Sequence, residues 1–232
     1  MIRLRLKPQP YVFERGGMKK VTAIRAGRKQ GKRVNLFLDG RFAFSLEAEV
    51  ARKENLEVEQ ELPEDKIEAL ARADLSHRCL NAALRYLGYR LRSEAELRQR
   101  LQRRGFNGDN VAATIAKLKE EGLVDDSAFA EFWKDNRQSF SPRSRWLTRQ
   151  ELRQKGVASD IIEQVVAGVV DEDSAYKAAL SRARSLPRSD YQSFRRRLGE
   201  YLRRRGFGYR VINYTVERLW QETGVGLDSI LP

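Results

Sequence analysis

Apolar positions change their period partway along the chain, and the change divides it. Between about residues 20 and 45 they alternate with polar ones. Val34, Leu36 and Leu38 fall two apart, as do Phe42 and Phe44, and Val21 and Ile24 lie in a third short apolar stretch. A period of two is that of a strand with one buried face. Asp39-Gly40 separates the last two runs and suits a two-residue hairpin turn, in which both residues take positive φ. The pattern predicts a small three-stranded antiparallel β meander. Residues 1–17 show little periodicity and are expected to be a flexible arm. A helix is expected after Ser45, through Leu46 and Val50, and a long helical stretch, in one piece or two, after Pro63. From there strand signals almost vanish and Leu, Ala, Arg, Glu and Gln dominate, all good helix formers.

The helical part repeats. Gly105, Gly156 and Gly206 are 51 and 50 residues apart. Four residues before each stands a leucine (Leu101, Leu152, Leu202), and one residue after each an apolar side chain (Phe106, Val157, Phe207). Six, ten and thirteen residues after them come Val111, Ile162 and Ile212; Ile115, Val166 and Val216; Leu118, Val169 and Leu219. Those offsets have helical spacing, so the unit is a repeat of about fifty residues. Each copy reads as three helices, A, B and C. In the first, A spans Ala82–Leu91, Ser93 and Glu96 form a capping box for B, which runs to Arg104, and Asn107 or Asp109 caps C to about Glu121. In the second, Asp125 or Asp126 opens A, Ser141 caps B with Pro142 at its first position, B ends at Gly156, and Ser159 caps C. The third starts near Glu172, with "YQSFRRRLGEYLRRR" as B and roughly Tyr209–Gln221 as C. Each B helix ends on a glycine suited to a left-handed cap, with the following apolar residue folding back onto the last turn. The expected division is 18–79 for the meander and its helices, then 80–125, 126–171 and 172–232 for the three repeats.

Charge adds a partner. The 232 residues carry 45 Lys and Arg against 32 Asp and Glu, a formal net charge of +13. Such an excess favours polyanions, above all nucleic acid or a complex containing it. Residues 126–171 balance at 7 basic and 7 acidic, whereas 1–80 carry 17 and 12 and 172–232 carry 12 and 7. A neutral middle between basic ends suggests a protein-facing segment. The cations cluster in the B helices: Arg98, Arg100, Arg103 and Arg104; Arg149 and Arg153; Arg195, Arg196 and Arg197; Arg203, Arg204 and Arg205. One cation in a last helical turn complements the helix dipole. Runs such as "RRRLGEYLRRR" exceed that need, so these twelve arginines are the candidate contacts to phosphate or to an acidic surface; a solvated face is the alternative.

Chemistry of other kinds finds little footing. A lone Cys79 excludes an internal disulfide framework, and with lone His77 it excludes zinc sites built from Cys and His. His77 lies in a helical pattern as a surface or packing residue, and Asp125-Asp126 is better explained as a helix cap than as a metal pair. No catalytic constellation, metal site or cofactor is expected. "GRKQGK" differs from a phosphate-binding loop because its glycines are four apart and Arg33 stands where a magnesium-binding hydroxyl belongs. Phe129, Phe132 and Trp133 are expected in the core of the second repeat, and Trp133, Trp146 and Trp220 as core or interface residues rather than stacking platforms. No run approaches the ~20 apolar residues of a membrane span, and no signal-peptide core opens the chain, so a cytoplasmic protein is expected.

Three stretches carry a resemblance: "RSEAELRQRLQRRGF" (92–106), "LKEEGLVDDSAFAEFWKDNR" (118–137) and "SRWLTRQELRQKGV" (144–157). With the third repeat they make residues 80–225 resemble the RecX family, regulatory proteins that bind RecA recombinase. The first and third repeats read Arg-Gly where Lys-Gly is frequent in that family, and the third is the most divergent. The resemblance implies a mainly α fold of tandem three-helix repeats, an elongated curved body lying in the groove of the RecA–DNA filament. It also implies a monomeric, non-enzymatic modulator of ATP hydrolysis, strand exchange and co-protease activity, which contacts single-stranded or double-stranded DNA directly or within the filament. The alternatives are a sequence-independent DNA-binding protein that needs no recombinase, and an adaptor whose basic surface meets an acidic protein.

Overall fold

A computed structural model of the chain describes residues 17–27, 32–187 and 189–225. The expected flexible arm lies outside the described residues except for Gly17, as does most of "GRKQGK". The chain divides into two compact units, one of residues 1–85 and 101–114, the other of 86–100 and 115–232.

In the first unit β1 (Lys19–Ala26), β2 (Arg33–Leu38) and β3 (Arg41–Glu47) form the expected meander. Asp39 and Gly40 turn the second hairpin at φ 48° and 76°. A fourth strand was not expected: β4 (Glu61–Leu62) pairs with Lys19 and Lys20, giving a four-stranded sheet ordered β3-β2-β1-β4. Two residues before a proline have no period to read. Parity also slips in β3, because the register shifts between Leu36 and Phe37. Ala43 and Leu46 therefore take the buried face with Val21, Leu36 and Leu38, while Phe42 is 51% exposed and meets Phe37 edge-on.

Helix α1 (Ala48–Lys53) follows, then α2 (Glu64–Leu87) as one continuous helix. Val50, Ala51, Ile67 and Leu70 close the sheet's apolar face. Arg33 and Asp74 fasten the same joint. Asp74, buried in α2, accepts from the backbone N–H of Glu47 (2.7 Å) and from Arg33 (3.2 Å), which also reaches Glu47 (3.1 Å). Arg33 is thus a structural cation here.

The repeat helices are α3 (Glu94–Arg103) and α4 (Gly108–Glu120), then α5 (Asp126–Phe140), α6 (Arg145–Gln154) and α7 (Ser159–Val166), then α8 (Asp171–Arg184), α9 (Tyr191–Arg203) and α10 (Tyr209–Val225). The end of α2 supplies helix A of the first repeat and stops at Leu87, before Gly88, rather than at Leu91. Every B helix closes identically. The N–H after the glycine donates to the leucine carbonyl five residues back: Phe106 to Leu101 (3.3 Å), Val157 to Leu152 (3.2 Å), Phe207 to Leu202 (3.4 Å). The glycine N–H donates three back, at 2.9 Å in each copy. This is a Schellman motif, in which the glycine takes a φ of 93°, 75° or 82° and the residue after it packs against the leucine. All three leucines are fully buried, each contributing about 1.5–3 kcal/mol.

Three expected caps are corrected. Ser144, not Ser141, caps α6 by accepting from the Leu147 N–H, and Ser141 instead ends α5. Ala158, which has no capping side chain, precedes α7, so Ser159 is its first residue. The capping box at α3 is half made: Ser93 accepts from the Glu96 N–H (3.1 Å), but the Glu96 carboxylate turns to Arg90 and Lys155. Asp125 and Asn107 cap α5 and α4 as expected. In the second repeat Phe129 is fully buried and Trp133 packs half-buried on the same core, whereas Phe132 is only half-buried and lies outside it.

Candidate partner-binding surface

The glycine turns do a second thing in the second unit: they are where one repeat seats on the next. Ser93, at the head of α3, donates its hydroxyl to the carbonyl of Lys155, the residue before Gly156 (2.6 Å). Ser144, at the head of α6, donates its N–H to the carbonyl of Arg205, the residue before Gly206 (3.0 Å). A Cβ on Gly156 would lie 2.4 Å from the Ala95 methyl, and one on Gly206 would lie 2.6 Å from Ser144 Oγ and 2.7 Å from Leu147 Cβ. Each joint is completed by an aspartate of the following A helix. Asp126 accepts from the Glu94 N–H (2.8 Å) and Asp171 from the Arg145 N–H (2.6 Å), so each satisfies an orphan amide at the start of the preceding B helix.

Charge is concentrated at the first joint. Glu96 accepts two bonds from Arg90 (3.0 Å each) and one from Lys155 (2.7 Å), with its side chain 18% exposed. Burial pushes its pKa up, but the bonds from Arg90 and Lys155 outweigh that and hold it at about 2. Burial raises the pKa of neighbouring Asp126. Near the second repeat's core, Glu151 accepts from Trp133 (2.8 Å), Arg137 (2.8 Å) and Arg143. Arg137 and Lys155 sit 4.4 and 4.1 Å from the Trp133 ring, which leaves that face unavailable for stacking. Of its two expected roles, core or interface, Trp146 takes the second: it is 56% exposed, with its ring edge over Gly206 at the joint.

The twelve arginines separate by what holds them. Arg98 pairs with Glu94 (2.7 Å) and Arg149 makes a two-pronged pair with Glu163 (2.7 and 2.6 Å), so both are taken up within the fold. Arg205 lies half-buried with its guanidinium 3.8 Å from the Tyr201 ring, and Arg100 is exposed with its own 5.7 Å from Tyr86. Arg195 reaches the Tyr209 hydroxyl at 3.4 Å. Arg103, Arg104, Arg153, Arg196, Arg197, Arg203 and Arg204 are exposed and, among the described residues, have no ion-pair partner. Arg195, Arg196 and Arg203 line one groove of about 370 Å³ between α9 and α10, with Tyr209 and Asn213. Tyr209, 74% exposed, was not singled out from the sequence, because one tyrosine after a glycine carries no periodic signal.

Among the described residues no three His, Cys, Asp or Glu side chains are grouped to hold a metal ion. Cys79 is buried, and burial raises its thiol pKa, which disfavours the nucleophilic thiolate. His77 contacts Glu49 (3.2 Å) and Asn81 (3.1 Å). No helix among the described residues is long and apolar enough to cross a membrane.

Three family models match in chain order: the regulatory protein RecX N-terminal domain over residues 19–63, the RecX first three-helix domain over 79–118 and the RecX second three-helix domain over 125–166. The chain is 30% identical over 206 residues to a regulatory protein RecX of Clostridium botulinum, covering 86% of this chain and 96% of the relative. To the regulatory protein RecX of Chlorobaculum tepidum it is 33% identical over 151 residues, 65% of this chain and 94% of that one. A crystal structure of a regulatory protein RecX superposes with a TM-score of 0.61 at 27% identity, over 86% of this chain and 99% of the other. The RecX crystal structure from Lactobacillus salivarius superposes at 0.54 with 25% identity, over 63% and 97%. With three RecX domain models matched in order and 96% of the Clostridium botulinum relative covered at 30% identity, this chain belongs to the RecX family of regulatory proteins.

Proposed function

We propose that this regulatory protein acts by binding the filament that RecA recombinase forms on DNA. There it restrains recombinase, ATP-hydrolysing and co-protease activity without catalysing a reaction itself. The carrying observation is that each B helix ends in exposed arginines, Arg103 and Arg104, Arg153, and Arg203 and Arg204, which have no ion-pair partner among the described residues. A helix end needs one such cation, and the further like charges repel one another and favour a polyanion nearby. Arg100, Arg195, Arg196 and Arg197 add to these cations; Arg98, Arg149 and Arg205 are held by partners within the fold. The working division places the sheet in 18–79 and the repeats in 80–125, 126–171 and 172–232, acting as a monomer in the cytoplasm on filament-held DNA.

The test is a comparison of three titrations at one salt concentration: bare single-stranded DNA, free RecA and the assembled filament. The filament should bind tightest, and saturating it should lower its rate of ATP hydrolysis. Equal affinity for bare DNA and filament, with hydrolysis unchanged, would replace this reading with that of a sequence-independent DNA-binding protein.

A further inference from the structure

Among the described residues no repeat follows the third, and the face that its predecessors use for stacking is rewritten there. Counting back from the repeat glycines, the residue ten before is Ala95, Trp146 and Arg196. The first two press on the glycine of the following repeat, at 2.4 Å and 3.3 Å from where its Cβ would be. The residue eleven before is Glu94, Arg145 and Arg195, and the first two give their N–H groups to an aspartate of the following repeat. The residue seven before is Arg98, Arg149 and Gly199. Where the earlier copies place a long ion-paired side chain, the third has none, and a groove of about 370 Å³ opens beside α10. Helix α9 also starts earlier than its counterparts, capped by its own Asp190.

From this we propose that the vacated joint face of the third repeat is a binding site for single-stranded DNA. One backbone phosphate is held by Arg195, Arg196 and Arg203, and one base lies on Tyr209. Forked guanidinium groups fit phosphate oxygens two at a time. An exposed tyrosine at the groove rim supplies the flat apolar surface on which an unpaired base stacks, and a base in a duplex cannot reach it. Arg195, bonded to the Tyr209 hydroxyl, ties the cationic wall to that ring. Glu200 on the wall opposes the three arginines and weakens the site. This deepens the filament reading by assigning a DNA contact within it, and is tested without RecA.

The experiment titrates a fluorescent oligothymidine with the full chain at several salt concentrations. Arg195→Gln, Arg196→Gln and Arg203→Gln should each weaken binding several-fold, and the three together should lower the slope of log affinity against log salt by about 0.7, the share of one phosphate. Tyr209→Ala should weaken binding at an unchanged slope. Gly199→Leu fills the groove floor, changes no charge and suits a helix better than glycine, and it should weaken binding too. Glu200→Gln should tighten it, and Lys53→Gln, an exposed cation on α1, should leave it unchanged. If Lys53→Gln weakens binding as much as the groove variants, or Gly199→Leu leaves it intact while thermal melting stays wild-type, the groove is not the site. A wild-type chain that ignores the filament yet shows these effects on oligothymidine would sink the filament reading and leave this one standing.

Discussion

A single glycine carries two separable demands in this protein, and substitution can tell them apart. Gly105, Gly156 and Gly206 all take positive φ, but a Cβ on Gly105 would meet nothing within 4 Å. Gly105→Ala should therefore cost only the backbone term, about 1–2 kcal/mol. Gly156→Ala and Gly206→Ala add a collision with Ala95 or Ser144 and should cost clearly more, as urea denaturation midpoints would reveal. The turn itself was legible in the sequence, because a Schellman motif is written in six consecutive residues. The collision was not, since Ala95 lies 61 positions from Gly156. The same scale separates the aromatics of α5. Phe129→Ala should cost about 3–5 kcal/mol and half-buried Phe132→Ala markedly less, and equal losses in thermal stability would contradict the packing described.

At the scale of elements, the first two B helices depend on atoms from the next repeat, which is why their starts were the least legible part of the sequence. The Glu96 carboxylate matched a local capping box, yet it is drawn away by Arg90 and by Lys155, 59 residues on. That choice makes the joint acid-sensitive. The Glu96 pKa falls from 4.5 to about 2 on folding, so its contribution is complete above pH 4.5 and is lost as pH drops towards 2. Glu96→Gln should remove up to about 3 kcal/mol at neutral pH and flatten stability across that window. Asp126 acts with the opposite sign, because its pKa is raised in the fold, so the informative quantity is the difference between wild type and Glu96→Gln along one pH series. Parallel curves would show that the pair contributes nothing specific.

For the whole molecule, composition and repeat spacing were enough to indicate a mainly α array and a small sheet, and two period-two runs with one short apolar stretch located three of its four strands. What the pattern could not say is which arginines remain available. Arg98 and Arg103 look alike in sequence, but Glu94 sits one turn from Arg98 while Arg103 has no ion-pair partner among the described residues. Arg149 is bound by Glu163 from the following helix, a pairing visible only once α6 and α7 are folded together. Charge reversal at Arg103 and Arg104 should accordingly weaken filament binding and lower its salt dependence, whereas Arg149→Gln should act mainly on stability. Binding titrations at two salt concentrations, read beside melting curves, check both.

The seating of α3 and α6 on a later turn has a consequence for how the protein is made. Ser93 finds its acceptor 62 residues downstream, at Lys155. At the usual pace of translation that stretch takes on the order of several seconds to leave the ribosome. Asp126 emerges about halfway through this interval and Lys155 only at its end, so the first repeat is completed only when its successor has emerged.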